Sequence, residues 1–170
     1  MKSFVFLALF LLGIQFSGMA QTASDNASGL SWYTDLTKAR AASDASHKPI
    51  FGFFTGSDWC GWCRKLQSDV FAKDAFVAWA KKNVILLELD FPRRKQLPAE
   101  LAQQNQALQQ ALNIQGYPTI WFFTVTEDNT THMLSLNTLG SLGYPQGAEV
   151  GKEEVKFLID ANVILAKGKK

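Results

Sequence analysis

The most informative segment of this 170-residue chain reads Thr55-Gly56-Ser57-Asp58-Trp59-Cys60-Gly61-Trp62-Cys63-Arg64-Lys65-Leu66. It contains the only two cysteines of the sequence, and it follows the apolar run Ile50-Phe51-Gly52-Phe53-Phe54. Such a run predicts a buried strand, and the segment after it predicts a helix. The first cysteine then lies at a helix N-terminus, where unpaired N–H groups and the helix dipole stabilise a thiolate. We therefore predict thiol–disulfide exchange at Cys60 and Cys63, with a zinc site or a structural bridge as the alternatives.

Composition and charge exclude several other classes of protein. With 47% hydrophobic, 12% aromatic and 19% charged residues, the chain has the make-up of a globular protein, not of a disordered or coiled-coil one. A formal net charge of +2 is too small to indicate nucleic acid or an anionic membrane surface as a partner. The basic groups Arg93-Arg94-Lys95 and Lys167-Gly168-Lys169-Lys170 are short, and we interpret them as solvated ends. We predict no nucleic-acid partner.

The N-terminus has the anatomy of a secretory signal peptide. One lysine precedes an apolar core from Phe4 to Ile14, and Gly18-Met19-Ala20 has small residues at both positions that matter for cleavage. We predict residues 1–20 as the signal peptide, cleaved after Ala20, and residues 21–31 as a flexible lead-in. A retained membrane anchor is the alternative, although the core is short for a spanning helix of about 20 residues. The expected location is therefore periplasmic or secreted.

Export also bears on the interpretation of the cysteine pair. Several scattered cysteines in an exported protein usually form structural bridges, whereas this chain has one close pair. A bridge that encloses only two residues constrains little unfolded-chain entropy, so stabilisation is a weak reason for it. A zinc site would need two further ligands, and neither His47 nor His132 has ligand spacing. These arguments favour redox chemistry, and we expect no metal and no cofactor.

Hydrophobic periodicity predicts alternating helices and strands over residues 32–170, which we treat as one domain. Helices are predicted over 32–46, 60–68, 74–83, 98–112 and 151–166, and strands over 50–55, 84–91, 120–125 and 132–136. A loop rich in Gly and Pro is predicted over 139–147. The predicted buried stripe of the last helix consists of Val155, Leu158, Ile159 and Val163. This order of elements indicates an α/β fold with one sheet between helices.

Two motifs within this framework resemble the thioredoxin superfamily. One is Trp59-Cys60-Gly61-Trp62-Cys63 after a Phe-rich strand, because a Cys-x-x-Cys after a strand in a βα unit is a redox signature. The other is Gly116-Tyr117-Pro118-Thr119 ahead of an apolar strand, which resembles the cis-proline turn of that family. The resemblance extends over residues 32–166 in the order of elements. It implies a thioredoxin-like fold, with a central mixed β-sheet and helices on both faces.

The resemblance also implies roles for individual residues. Cys60 would be the exposed attacking thiolate of low pKa, and Cys63 would be the buried thiol that resolves the mixed disulfide with the substrate. Pro118, if cis, would present the backbone of Tyr117 beside Cys60, where an extended substrate segment pairs with it. Asp58, next to the motif, is predicted as a solvated turn residue or a helix N-cap.

Further residues are predicted on both sides of the motif. Trp59 and Trp62 would form an apolar rim around the sulfur that binds substrate, with ordinary packing at the helix start as the alternative. Many thioredoxins have a buried Asp in the strand before the motif, but Phe51-Gly52-Phe53-Phe54 contains no acid. Where they have a Lys in the next strand, this chain has Glu88. A buried carboxylate has a raised pKa that suits proton exchange with Cys63, and pairing with water or a lysine is the alternative.

Two hypotheses of function, from different classes, follow from these residues. The first is a thiol:disulfide oxidoreductase that acts as a monomer on protein substrates. Because Gly61-Trp62 begins like the reducing thioredoxins, we predict a reductase, which in an exported compartment needs a membrane electron-transfer partner. The second is a non-enzymatic binding module or metallochaperone that uses the cysteines as soft-metal ligands. The sequence has no well-spaced His or Met ligand, which disfavours the second hypothesis.

Overall fold

A computed structural model describes residues 24–25 and 29–168 of the chain. The described elements are β1 (Ser24–Asp25), β2 (Ser31–Tyr33), α1 (Leu36–Ser46), β3 (Ile50–Thr55), α2 (Gly61–Leu66), a π-helical turn (Gln67–Phe71), α3 (Asp74–Asn83), β4 (Ile85–Asp90), α4 (Ala99–Ala111), β5 (Thr119–Glu127), β6 (Leu134–Leu142) and α5 (Glu153–Lys167). Within these described ranges, no helix has the length and apolar character needed to cross a membrane. The signal peptide predicted over residues 1–20 lies outside the described residues.

All the described strands belong to one mixed sheet, in the order β1-β2-β4-β3-β5-β6. Strand β4 runs parallel to β2 and β3, whereas the pairs β1–β2, β3–β5 and β5–β6 are antiparallel. Every residue of the central strand β3 is buried. Its Gly52 fits a close approach, because a Cβ atom there would lie 2.8 Å from Cε1 of Phe123. The predicted mixed sheet is confirmed, and β3 leads directly into the cysteine segment.

One face of the sheet is covered by α2, the π-helical turn, α3 and α5. The ring of Phe51 lies at its centre, and it contacts the rings of Phe71, Phe76 and Phe157 at centroid distances of 5.7, 5.9 and 6.2 Å. Each such aromatic pair contributes about 0.5–1.5 kcal/mol beyond the burial of area. The helix predicted over 60–68 continues through the π-helical turn to Phe71 because this ring is part of the core.

The other face is covered by α1 and α4. Ala39 of α1 and Leu108 of α4 belong to a buried cluster with Phe54 and Leu89 of the two central strands. The Gln-rich helix α4 contributes a narrow apolar stripe to this cluster, and its Asn105 is also buried and donates a hydrogen bond to the carbonyl oxygen of Asp90. Helices on both faces of an α/β sheet were predicted, and this arrangement is confirmed.

The first helix begins later than the predicted range 32–46. Trp32 lies in β2, where it pairs with Leu86 of the parallel strand β4 and is 4% exposed. The carboxylate of Asp35 accepts hydrogen bonds from the first N–H groups of α1, so the helix begins after this residue. Leu30, which was predicted in the flexible lead-in, is 2% exposed and belongs to the core. The core therefore includes Leu30, two residues before the predicted start of the domain.

The segment predicted as a Gly/Pro loop over 139–147 begins as a strand. Strand β6 extends to Leu142 and pairs with β5 along its length, with one register shift at Phe122/Phe123. Gly140 has a φ of 154°, and a Cβ atom there would lie 3.2 Å from Cγ1 of Ile164. This glycine lets α5 approach the sheet, and it is not the turn signal that its residue type indicated.

The predicted buried stripe of α5 was largely wrong. Its buried residues are Phe157, Ala161 and Ile164. Of the predicted residues, Leu158 packs against the core, but the other three are exposed: Val155 50%, Ile159 59% and Val163 55%. The helix carries apolar residues on two sides, so its periodicity alone could not select the side that contacts the sheet.

Candidate active site

The two cysteines form a disulfide where β3 passes into α2. Cys60 is the N-cap of α2, and its Sγ accepts a 3.1 Å hydrogen bond from the backbone N–H of Cys63. Both cysteines are buried in this oxidised protein, with 4% and 1% of their surface exposed. The predicted exposure of Cys60 is therefore wrong for the oxidised form, because the pair belongs to the core cluster against which Trp59 and Tyr117 pack.

Asp90, the last residue of β4, holds the loop that connects β3 to the cysteines. Its two carboxylate oxygens accept hydrogen bonds of 2.8 and 2.7 Å from the backbone N–H and the hydroxyl of Ser57. Lys95 Nζ lies 3.0 Å from Asp90 Oδ2. Asp90 is 7% exposed, and a carboxylate this deeply buried needs such partners. These contacts fix the backbone of the loop against the end of β4.

Asp58 binds the segment that follows β4. Its carboxylate accepts hydrogen bonds of 3.0 Å from the backbone N–H of Arg93 and 2.7 Å from that of Arg94. The N–H of Arg93 is the main cause that holds the pKa of Asp58 below its usual value. The prediction of an N-cap was wrong, since Cys60 occupies that position. Asp58 instead attaches the backbone of Arg93 and Arg94 to the segment that precedes Cys60.

Trp59 contacts three parts of the chain. Its Nε1 donates a 2.8 Å hydrogen bond to the carbonyl oxygen of Phe91, and its ring meets that of Tyr117 edge to face at 5.6 Å. The guanidinium carbon of Arg93 lies 3.9 Å from the ring centroid of Trp59. Such a stacked guanidinium makes a favourable cation–π contact. These three contacts hold the side chain of Trp59 in place.

Trp62 is 59% exposed and lies at the surface beside the disulfide. Its ring meets that of Tyr144 at 5.1 Å. The hydroxyl of Tyr144 donates a 2.7 Å hydrogen bond to Asp69 Oδ2, which also accepts a 2.6 Å bond from Lys65 Nζ. The pKa of Asp69 is lowered to about 2, mainly by the hydrogen bond from Lys65 and next by that from Tyr144. The loop after β6 is thereby attached to the helix that contains the second cysteine.

The Tyr117–Pro118 peptide bond is cis, as the turn motif predicted. The hydroxyl of Tyr117 accepts a 2.5 Å hydrogen bond from Gln109 Nε2 of α4. The ring of Tyr117 also lies 5.4 Å from that of Phe91, at the end of β4. The structure therefore brings this turn to the redox segment through aromatic contacts with Trp59 and Phe91.

Glu88 lies in the middle of β4, opposite Phe53 of β3. Successive residues of a strand point to opposite faces, so Glu88 shares the face of Leu86. Leu86 and Phe53 belong to the same core cluster as both cysteines. Burial, and then the charge of Asp90, raise the pKa of Glu88, whereas the charge of Lys95 opposes the shift. Glu88 is thus a partly buried carboxyl on the face of the sheet that holds the disulfide.

Arg93 and Tyr144 are contacts of the motif that the sequence analysis missed. The group 93–95 was interpreted as a solvated end, yet Arg93 stacks on Trp59. A signal existed, because the parallel strands β3 and β4 end at the same edge of the sheet, which places Asp58 near the residues after β4. Tyr144 had no such signal, since it follows a strand whose extent was mispredicted. No group of three or more possible metal-ligating side chains occurs among the described residues.

Comparisons with known proteins agree with this geometry. A family model described as a thioredoxin-like domain matches residues 36–133. The disulfide bond reductase DsbH of Chlamydia pneumoniae is 36% identical over 104 residues, which cover 61% of this chain and 62% of that protein. The thioredoxin-related protein DsbJ of the same organism is 21% identical over 165 residues, 97% of this chain and 45% of that protein. A solved structure of a DsbH oxidoreductase matches with a TM-score of 0.64 and 27% identity, covering 91% of this chain and 93% of that one.

These similarities confirm the fold and the family resemblance. The family model and the solved structure both bear out the predicted thioredoxin-like fold. The matched parts make up less than two thirds of the length of the two curated relatives from Chlamydia.

Proposed function

The chain belongs to the thioredoxin-like domain family, and from this premise we propose that it is an exported thiol:disulfide oxidoreductase acting on protein substrates. The observation that carries the proposal is the disulfide between Cys60 and Cys63 at the start of α2. A bridge that encloses only two residues adds little to the stability of the fold, which suits a centre that is oxidised and reduced reversibly. The description of DsbH as a disulfide bond reductase supports the same class of reaction.

In the reducing direction, the reaction consists of two exchange steps. The thiolate of Cys60 attacks one sulfur of a substrate disulfide, so that a mixed disulfide forms and the other substrate sulfur leaves as a thiolate. The thiolate of Cys63 then attacks Cys60 Sγ, and the second substrate sulfur leaves. The protein has become the disulfide form, and two electrons have passed to the substrate. The N-cap position of Cys60 supports its role as the nucleophile, because helix N-terminal N–H groups stabilise a thiolate.

Glu88 is the group that we assign to the proton of Cys63. The resolving thiol must lose its proton before it attacks, and a carboxylate with a raised pKa is a better base for this purpose than an ordinary one. The raised pKa of Glu88 and its place on the cysteine-bearing face of the sheet support this role. Its action is either direct or through a water molecule.

The substrate polypeptide would bind across the turn and the two tryptophans. Trp59, next to Cys60, contacts the ring of Tyr117 in the cis-proline turn, and Trp62, next to Cys63, has an exposed ring. The backbone at Tyr117 would pair with an extended substrate segment. The aromatic rings would supply apolar contact area without sequence specificity.

We assign the direction as reduction, with electrons delivered by a membrane partner. Gly61-Trp62 between the cysteines begins as in the reducing thioredoxins, and the relative DsbH is described as a reductase. The N-terminal pattern over residues 1–20 supports export with cleavage after Ala20, to the periplasm or outside the cell. An exported compartment has no soluble reducing pool of the cytosolic kind, which is why a membrane donor is required. The protein would act as a monomer.

The redox potential of the Cys60–Cys63 couple in glutathione buffers tests the proposal. We expect a reversible two-electron couple below about −200 mV, in the range of reducing members of this fold, together with reduction of insulin. Cys60→Ser should abolish both. A reversible potential near about −120 mV would reverse the direction, since that is the range of strong oxidants. Absence of a reversible couple, with tight Cu(I) binding instead, would replace the enzyme by the metallochaperone alternative.

A trapping experiment tests the order of attack. Cys63→Ala leaves the first exchange possible and removes the second, so mixed disulfides with substrate proteins should accumulate on Cys60. The double variant Cys60→Ser/Cys63→Ala is the matched control and should trap nothing. If Cys60→Ser trapped substrates while Cys63→Ala did not, the roles of the two cysteines would be exchanged.

A further inference from the structure

Guanidinium groups lie against the residues on both sides of Cys60. The preceding residue, Trp59, carries the guanidinium of Arg93, whose central carbon lies 3.9 Å from the ring centroid. The following residue, Gly61, has an Nη2 of Arg64 within 4.0 Å of the position that a Cβ atom would occupy. Two positive charges from different parts of the chain therefore flank the nucleophilic cysteine.

The charges of these arginines are not neutralised by ion pairs. Arg64, Arg93 and the neighbouring Arg94 are exposed, and none of them forms an ion pair with a described residue. The two lysines nearby differ in this respect, because Lys65 pairs with Asp69 and Lys95 pairs with Asp90. The cationic character of this surface therefore resides in the three arginines.

Asp58 adds one negative charge next to the three arginines, so the group as a whole remains positively charged. Asp58 accepts hydrogen bonds from the backbone N–H groups of Arg93 and Arg94, and so it positions their segment without pairing with either guanidinium. The side chain of Arg93 is held further by its stacking on Trp59. The positive charge on this side is consequently fixed beside the disulfide, which reduces the entropy lost when a partner binds.

We propose that this surface, with Arg64 and Arg93 beside the two neighbours of Cys60 and Arg94 next to Arg93 in the chain, recognises substrate polypeptides that carry Asp or Glu on both sides of the reactive cysteine. The inference rests on the proposed function, since it names the substrate class of the same site. Guanidinium groups bind carboxylates through paired N–H donors, and opposite charges raise the rate of encounter. An extended substrate segment centred on its cysteine would bring its flanking side chains toward the residues on either side of Cys60.

Single-turnover oxidation of the reduced protein by three synthetic peptide disulfides tests this inference. The peptides are identical except for the two residues on each side of the cysteine, which are Glu, Gln or Lys. The fluorescence of Trp59 and Trp62 reports closure of the adjacent disulfide. We expect the second-order rate constants to follow the order Glu, Gln, Lys, with about a tenfold range at low salt. The range should shrink toward one in about 1 M salt, where the Debye length is about 3 Å.

Variants assign the preference to the arginines. Arg64→Gln and Arg93→Gln should each reduce the Glu-to-Lys rate ratio about two- to threefold, and the double variant should reduce it further. Arg93→Lys keeps the charge while changing the stacking, so it should retain most of the ratio. Lys82→Gln is the control, because Lys82 lies at the end of α3 that precedes β4, at the opposite edge of the sheet. It should leave all three rate constants unchanged.

The outcomes separate failure of the inference from failure of the function. Equal rate constants for the Glu and Lys peptides at low salt would overturn the inference alone, as would a ratio that the double variant leaves intact. No reaction with any of the three peptides would overturn the proposed function, and the inference with it.

Discussion

The indole Nε1 of Trp59 donates a 2.8 Å hydrogen bond to the carbonyl oxygen of Phe91. It is one of three successive attachments, because Ser57 bonds to Asp90 and Asp58 bonds to the N–H groups of Arg93 and Arg94. Residues 57–59 are therefore bonded one after another to the end of β4 and the segment behind it. These hydrogen bonds hold the loop before Cys60 in one conformation, which is a requirement for a nucleophile of defined reactivity.

Trp59→Phe should destabilise the oxidised protein by about 1 kcal/mol, because the ring is kept while the carbonyl of Phe91 loses its partner. For a chain of this length the melting temperature should fall by about 2–4 °C. Thermal unfolding followed by circular dichroism measures the change. Trp62→Phe is the matched control, since the ring of Trp62 is 59% exposed and should cost less than about 0.5 kcal/mol. Equal losses in the two variants would contradict the role of the Trp59 bond.

The contact between Asp69 and Lys65 should make stability depend on pH in the acid range. The pKa of Asp69 is lowered to about 2, so its ionised form is favoured by folding. A carboxyl group whose pKa is lower in the folded than in the unfolded protein stabilises the fold when it is ionised. This stabilisation is present above the unfolded-state pKa of about 3.9 and is lost as pH falls through the folded-state pKa. Asp69→Asn should therefore be less stable than the wild type at pH 7, and the difference should vanish between about pH 4 and pH 2. Urea unfolding at a series of pH values measures it.

Tyr144→Phe isolates the second partner of the same carboxylate. It removes the 2.7 Å hydrogen bond to Asp69 and keeps the ring against Trp62. Asp69→Asn and Tyr144→Phe each remove this bond. The loss in free energy of unfolding of the double variant should therefore be smaller than the sum of the losses of the two single variants. Strict additivity would show that the two groups do not stabilise each other.

Glu88 should have the opposite effect on the pH dependence of stability. Its pKa is raised in the folded protein, mainly by burial, so the ionised form opposes folding. Stability should fall as pH rises from about 4.3 through the folded pKa. Near pH 4 the free energy of unfolding of Glu88→Gln should equal that of the wild type, and at higher pH it should be larger than that of the wild type. A difference that does not grow with pH would show that Glu88 ionises as an exposed residue does.

The same variant also tests the proposed role of Glu88 in proton transfer. If the carboxylate accepts the proton of Cys63, Glu88→Gln should slow release from a mixed disulfide at Cys60 by at least about tenfold near neutral pH. The pH at which this step accelerates should shift as well, which a purely structural effect would not produce. Glu100→Gln, at an exposed position of α4, should change neither quantity.

How far the sequence alone could predict this molecule differs from element to element. Strand β3 was predicted with the correct bounds because it is buried on both faces and reads as a continuous apolar run. Strand β2 overlaps the range predicted as helix, because three residues carry too little periodicity to indicate a strand and only the pairing with β4 defines it. Gly140 was a loop signal by residue type, but contact with Ile164 determines its place in β6.

The candidate site shows the same division. The cysteine pair and the Tyr117–Pro118 turn are local motifs, so the sequence was sufficient to identify them. The contact of Arg93 with Trp59 depends on two strands that end at the same edge of the sheet, and that of Tyr144 with Trp62 depends on a loop far along the chain. Contacts of this kind depend on how the strands and loops pack together, which a local motif does not specify.

The two apolar sides of α5 provide the final prediction. Phe157 is 1% exposed and contacts the aromatic core, whereas Ile159, two residues further along, is 59% exposed. Phe157→Ala should cost about 3–5 kcal/mol, because it leaves a cavity among close-packed rings. Ile159→Gln should change stability by less than about 0.5 kcal/mol, since the side chain already contacts solvent. Urea unfolding of both variants measures the two effects.

The two measurements also show which side of α5 is buried. The periodicity of the sequence predicts a buried side that consists of Val155, Leu158, Ile159 and Val163. With that side buried, Ile159→Gln would place an unpaired amide in the core at a cost of about 1–3 kcal/mol. The contacts of α5 with the sheet place Phe157, Ala161 and Ile164 inside instead. A large loss of stability for Ile159→Gln in the dilute monomer would mean that α5 is rotated so that Ile159 faces the core. If the loss appears only as protein concentration rises, the exposed side is covered by a second copy of the chain.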